Sequence, residues 1–293
     1  MRALHRLLIA AAVVAAFVLC AAAPQAQRAE LARPLADTVT RVGDRVVQWY
    51  ARAQSLISLE SVWIQPLRAD MTSLDFPRRL AYELRLAWEA PAEGGELPEA
   101  NVVRQILTIN GRPPKPKDVD GCLDPKPVSP EPLSMLLPAQ RDDYTFSTAG
   151  TTRVDGRPAL MIDYRSVAAG VPEITFTRDC VSIELPGRSR GRIWVDASTY
   201  DVLRLDEHLV GMFDFSTPRE QQRRGASRDM TVERADSSIQ YKRVSFVDPE
   251  ETLMLPAAIE TVSVIRSGSM QRYRVTQRFS DYRRFLTGGR VVQ

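Results

Sequence analysis

Few side chains in this 293-residue chain are of a type that carries reaction chemistry. His5 and His208 are the only histidines. A zinc site needs three or four good ligands, and no Cys/His cluster supplies them, so no metal is expected. His208 sits in an alternating stretch and reads as a surface residue. Gly187-Arg188-Ser189-Arg190-Gly191 matches the G-x-S-x-G pattern of serine hydrolases. That pattern works only at a strand-to-helix elbow of an α/β sheet. Here Pro186 precedes it and the strand-like Arg192-Ile193-Trp194-Val195 follows, so it reads as a turn. Asp118, Asp120 and Asp124 surround Gly121 in the manner of a calcium loop, but Ser129 stands where such a loop needs its glutamate. Nucleotide-binding and kinase signatures are absent. Paired carboxylates for glycoside hydrolysis can come from any two strands, and nothing nominates a pair. The expectation is therefore no catalytic residue and no cofactor, with an unrecognised hydrolase as the last-ranked reading.

The cysteines and the N-terminus speak to compartment. Arg2 and Arg6 precede an apolar run from Leu7 to Ala23, which leads into the small residues Ala21–Ala26. This is the order of a cleaved bacterial export signal over residues 1–26, with no stable transmembrane anchor expected afterwards. A retained anchor is one alternative, although the run is short for spanning. A lipid-modified Cys20 is another, although Phe17, Val18 and Leu19 are not the small residues that such processing prefers. Localisation is thus periplasmic or exported. Outside the cytoplasm, Cys122 and Cys180 are disulfide candidates. A bridge between them would close a loop of about 58 residues and stabilise the fold by roughly 4 kcal/mol in the chain-entropy model.

Charge removes a further class. The chain has 39 basic and 36 acidic residues. Without Arg2 and Arg6 the mature chain is almost neutral, which argues against nucleic acid, whose affinity comes from neutralising phosphates. Hydrophobic residues make up 44% of the chain, enough for a folded core.

The elements that position these residues follow from period. Between Ala29 and Gln54, Leu31, Leu35, Val39, Val42, Val46, Trp49 and Ala53 recur every three or four residues, the mark of one amphipathic helix. After it the period becomes two. In Arg79–Glu89 the residues Leu80, Tyr82, Leu84, Leu86 and Trp88 fall on one side, so one face of that strand is buried. Further strands are expected near 57–65, 101–110, 158–167, 173–184, 190–196, 201–210, 238–247, 257–266 and 271–284. Asp155-Gly156, Asp196–Thr199 and Ser267–Ser269 read as tight turns. Short connections imply an antiparallel meander, and no βαβ alternation appears. Residues 112–142 hold eight prolines, which exclude ladder strands through most of the segment. Inside it Leu133, Met135, Leu136 and Leu137 form an apolar island that reads as one helical turn and a possible lid. Residues 217–228 read as a polar hairpin tip. The expected fold is mainly β: a strongly curved antiparallel sheet, an incomplete barrel, with the N-terminal helix packed on its concave face. Residues 27–293 are expected to form this one domain, with 112–142 as a loop insert.

Gly191-Arg192-Ile193-Trp194-Val195-Asp196, followed by Ser198-Thr199 and Val202-Leu203-Arg204-Leu205, resembles the strand-turn-strand of LolA/LolB-like periplasmic proteins. Leu255-Pro256 and Phe279-Ser280-Asp281-Tyr282 are similar too, and the resemblance spans roughly residues 30–285. It implies an apolar half-barrel that receives acyl chains, and hence a lipid or acylated protein as cargo. A groove lined by Tyr82, Leu84, Leu86, Trp88, Leu160, Ile162, Tyr164, Ile193 and Val195 would hold such a chain. The same residues would otherwise form a closed core. The family's cargo-retaining arginine has no match, and the proline-rich insert and the cysteine pair depart from the pattern. With a closed core, the protein would instead be a cell-envelope scaffold that docks a protein partner.

Overall fold

The computed structural model describes residues 35–53, 55–88, 100–115, 131–176, 181–267 and 270–284. The export signal, Asp118, Asp120, Asp124, Cys122 and Cys180 lie outside the described residues. Among the described residues no helix is long and apolar enough to cross a membrane.

The helical period produces α1, Leu35–Arg52. It buries Val39, Val42, Val46 and Tyr50, so the stripe read from the sequence is the face that packs. The helix is tied to the sheet by polar groups at its flanks. Arg45 reaches Asp201 at 2.9 Å, Arg52 reaches Glu251 at 3.1 Å, and the Trp49 indole N–H donates to the Met254 carbonyl at 2.6 Å.

Thirteen strands follow among the described residues: β1 (Ser55–Pro66), β2 (Arg78–Trp88), β3 (Ala100–Ile109), β4 (Tyr144–Val154), β5 (Arg157–Ser166), β6 (Glu173–Phe176), β7 (Val181–Glu184), β8 (Ser189–Asp196), β9 (Val202–Leu209), β10 (Phe213–Ser216), β11 (Asp229–Val247), β12 (Glu250–Arg266) and β13 (Met270–Arg284). A short helix α2, Arg219–Arg223, sits at the β10–β11 tip. The main sheet runs β3-β2-β1-β13-β12-β11-β9-β8-β5-β4, with β10 attached to β11. All its pairings are antiparallel, and β1 joins the two ends of the chain by pairing with both β2 and β13. Because β3 and β4 pair with no further strand among the described residues, the sheet is an open, incomplete barrel.

Its curvature follows from packing. Leu84 on β2 and Ile162 on β5 belong to one buried cluster together with α1. A flat sheet would hold their strands about 34 Å apart at the usual spacing of roughly 4.8 Å per strand. The sheet must therefore wrap around the helix, as the single apolar face of each strand requires.

Several boundaries differ from those read in the sequence. The 173–184 stretch is the separate hairpin β6–β7 rather than one strand. β4 was not legible because its residues are Ser- and Thr-rich and mostly exposed, leaving no apolar alternation. β11 and β12 extend well beyond the expected ranges. Pro256 does not end β12, because it falls at the bulge where the register slips between Gln240 and Tyr241. A bulge is where a strand tolerates proline. Asp155 and Gly156 both adopt positive φ, 48° and 77°, as a two-residue hairpin turn needs.

Candidate functional site

The concave face has two halves of different character. Over β5, β8 and β9 it is filled. Leu133, Met135, Leu136 and Leu137 form a 3-10 turn and its exit, are all buried, and pack with Ile162, Tyr164, Ile193 and Val195 in the cluster beneath α1; Leu160 packs against it. The fit is close. A Cβ at Gly43 would collide with the Leu136 carbonyl and the Arg141 guanidinium. Arg141 in turn donates to the Thr40 hydroxyl at 3.0 Å and to the Leu136 carbonyl at 3.2 Å.

Over β1, β2 and β11–β13 the face is not filled. A cleft with about 510 Å³ of empty space, part of it open to solvent, lies beneath Trp49. Leu56 and Ser58 of β1 and Leu84 and Leu86 of β2 form one wall. Ile239 and Tyr241 of β11 and Leu255, Pro256 and Ile259 of β12 form the opposite one. Phe279 and Tyr282 of β13 lie between them in strand order.

Of the groove residues expected from the sequence, Leu84 and Leu86 line this cleft. Tyr82 shares their face but packs in a separate cluster with Val62, Ile64 and Leu80. Leu160, Ile162, Tyr164, Ile193 and Val195 lie in the filled half, and none of the four island residues lines the cleft. Trp88 ends β2, and its side chain is outside the described set. Sequence reasoning missed Ser58, Ile239, Tyr241 and Tyr282 as lining. Phe279 and Tyr282 carried a signal as part of the resemblance, and Ser58 lies within an alternating strand that was legible.

Between the cleft and the Tyr82 cluster lies a buried polar group that the sequence reading also missed. Glu60 is fully buried. Arg104 grips it with two hydrogen bonds, at 2.7 and 3.1 Å, and the Gln277 amide donates a third at 2.8 Å. Glu60 occupies the inward phase of β1, between Ser58 and Val62. The bidentate pair satisfies a charge that would otherwise be very costly in this position.

The tyrosines around the cleft are held neutral. Burial pushes the Tyr241 hydroxyl well above its ordinary value, with Tyr50 adding to the shift. Burial also raises Tyr282, assisted by the negative charge of Glu60. The Tyr282 hydroxyl donates to the Pro256 carbonyl at 2.8 Å.

The motif behind the resemblance builds structure. Trp194 carries two guanidinium groups against its ring, Arg204 at 4.7 Å and Arg192 at 6.0 Å. Asp206 and Asp163 orient those arginines at 2.7 and 2.6 Å. Asp196 caps the turn by accepting from the Ser198 and Thr199 amides, each at 2.9 Å. Ser189 and His208 do not form a nucleophile–base pair. Ser189 shares the inward phase of β8 with Ile193, while His208 pairs opposite the exposed Arg190 and contacts Asp236 at 3.0 Å. Among the described residues no group of three or more His, Cys, Asp or Glu side chains is arranged to hold a metal ion.

No family model and no curated protein sequence matches the chain. Several solved structures align with most of the chain at low identity. A DUF1329 family protein from Desulfovibrio piger is 9% identical, with a TM-score of 0.37 over 87% of this chain and 95% of its own. A LolA superfamily protein from Nitrosomonas europaea is 11% identical, with a TM-score of 0.30 over 85% and 94%. An outer membrane lipoprotein-sorting protein domain from Vibrio parahaemolyticus is 8% identical, with a TM-score of 0.32 over 86% and 95%.

Proposed function

We propose that this protein is a non-catalytic periplasmic carrier that holds an acyl chain of a lipid or lipoprotein in its half-barrel. The observation that carries this reading is the cleft beneath Trp49, whose lining side chains are apolar apart from the Ser58, Tyr241 and Tyr282 hydroxyls and the Trp49 indole N–H. Each methylene moved from water into such a site gains about 0.8 kcal/mol. The test is native mass spectrometry of the protein purified gently from the periplasm. An added mass in the lipid range, lost when Leu84 is replaced by Trp to fill the cleft, supports the reading. A clean apo mass from both forms overturns it.

A second reading, a cell-envelope scaffold that docks a protein, is favoured by one feature. The outer strand β3 presents Val103 and Leu107, 52% and 40% exposed, beside an edge that no strand pairs among the described residues. Such an edge is a template for strand addition. Recovery of one protein partner without lipid, abolished by Val103→Lys, would select this reading over the carrier.

A further inference from the structure

At one end of the cleft two guanidinium groups share a single carboxylate. Arg284 of β13 pairs directly opposite Leu56 of β1, so the two side chains lie on the face that lines the cleft. Arg52 follows the lining residue Trp49 by three positions on α1, which puts both on one side of the helix. Glu251 of β12 joins the two arginines. One of its oxygens accepts from the Arg52 Nε–H at 3.1 Å, and the other accepts from a terminal amino group of Arg284. The Phe246 ring lies 5.1 Å from the Arg284 guanidinium.

This sharing leaves both donors and charge over. The Arg284 Nε–H is buried without a hydrogen-bond partner among the described residues, whereas buried polar groups are ordinarily paired. Arg52 uses only its Nε–H; its side chain is 41% exposed, and its two terminal amino groups have no partner among the described residues. Two guanidinium groups on one carboxylate carry a surplus of one positive charge. Burial holds the Arg284 guanidinium below its ordinary value, and the charge of Arg52 pushes the same way, although an arginine stays protonated at neutral pH. Nearby acids do not cancel the surplus. Glu60 is held by Arg104. Lys242 adds a further cation opposite the lining residue Leu255; it donates to the Phe279 carbonyl, and no carboxylate pairs with it among the described residues.

An apolar cleft with a surplus cationic pair at its end suits a chain that ends in one negative charge. The planar guanidinium fork matches a carboxylate, and hydrogen bonds between the two are stronger than neutral ones. A terminal carboxylate brings only its two oxygens to the half-buried pair, whereas a phosphodiester brings a second substituent. We propose that the cleft takes a long-chain carboxylate, a fatty-acid anion, with its chain beneath Trp49 and its carboxylate on Arg52 and Arg284. This rests on the carrier reading above and adds the head-group chemistry to it.

The test is displacement of a pyrene-alkane reporter, which has no head group, by myristate, tetradecanol and a myristoyl lysophosphatidylglycerol at pH 8. The wild-type protein should bind myristate about tenfold more tightly than tetradecanol, the scale of a hydrogen bond to a charged group, and more tightly than the phosphodiester. Arg284→Met should remove most of that preference, and the more exposed Arg52→Gln should reduce it about fivefold; neither should change reporter binding. Arg283→Gln, on the opposite face of β13, removes the same charge and should leave the preference intact. If the reporter binds but myristate competes no better than tetradecanol, or the Arg52 and Arg284 variants keep the preference, or Arg283→Gln lowers it equally, the anion site fails and the carrier reading stands. Tighter binding of the phosphodiester than of myristate overturns the carboxylate assignment. If the folded protein binds neither the reporter nor any of the three amphiphiles, both readings fail.

Discussion

Tyr164 reaches across β8 to donate a hydrogen bond to Glu207 at 2.9 Å, and it does so over Gly191. The residue between them must be glycine. A Cβ there would lie 2.8 Å from the Tyr164 hydroxyl and would collide with the Asp206 carbonyl. The glycine that opens the Gly-Arg-Ile-Trp-Val-Asp motif thus makes room for a buried cross-strand bond.

Gly191→Ala is expected to destabilise the fold by about 2–3 kcal/mol, at the upper end for overpacking, because backbone as well as a side chain must move. Urea denaturation with an unchanged m-value would measure it. A loss below roughly 0.5 kcal/mol, the range of ordinary surface substitutions, would show that the strands yield freely at this point.

Glu207 gives the fold a pH dependence. Burial raises its carboxyl above the usual 4.5, and the Tyr164 hydrogen bond only partly offsets this. A raised acid binds its proton more tightly in the folded state, so stability falls as pH climbs from about 4.5 through the raised value. Glu207→Gln keeps an acceptor for Tyr164 and removes the charge. It should be more stable than wild type at pH 7 by on the order of 1 kcal/mol, with the difference vanishing near pH 4. Thermal melts across that range decide the matter, and a variant less stable at pH 7 would contradict the assignment.

Gly43→Ala tests the contact between α1 and the Leu133–Leu137 island. In an exposed helix interior this change stabilises by about 1 kcal/mol. Here the new methyl meets the Leu136 carbonyl and Arg141, so the sign should reverse to a loss of about 1–3 kcal/mol. Hydrogen exchange should show faster opening at 133–137 than in β12.

The Glu60–Arg104 pair is expected to behave as a unit. Arg104→Met leaves a buried carboxylate held only by Gln277 and should cost about 3–5 kcal/mol. Adding Glu60→Leu should recover most of that loss, since an apolar replacement of both partners is often neutral. Stability measured through the double-mutant cycle gives the coupling directly. Additive losses would mean that the two side chains act independently.

Local physics made much of this fold readable. The three-to-four spacing of Val39, Val42 and Val46 specified α1, because one face of an amphipathic helix must be buried. The two-residue alternation of Leu80, Leu84 and Leu86 specified β2 and which side of it faces inward. Asp155-Gly156 specified a hairpin through its backbone preferences alone. These features depend on neighbours within a few residues, and the sequence holds that information directly.

The site depended on distant partners. Alternation shows that Leu84 and Ile162 both point inward, but not that one borders an open cleft and the other a packed core. That difference arises because the island at 133–137 folds under α1 and fills only one half of the sheet. Glu60 in the inward phase of β1 is visible in the chain, yet its partners lie 44 and 217 residues away. Which side chain meets which across a curved sheet is settled by strand order and curvature. Those are properties of the whole hydrogen-bonded array, and no short window of sequence contains them.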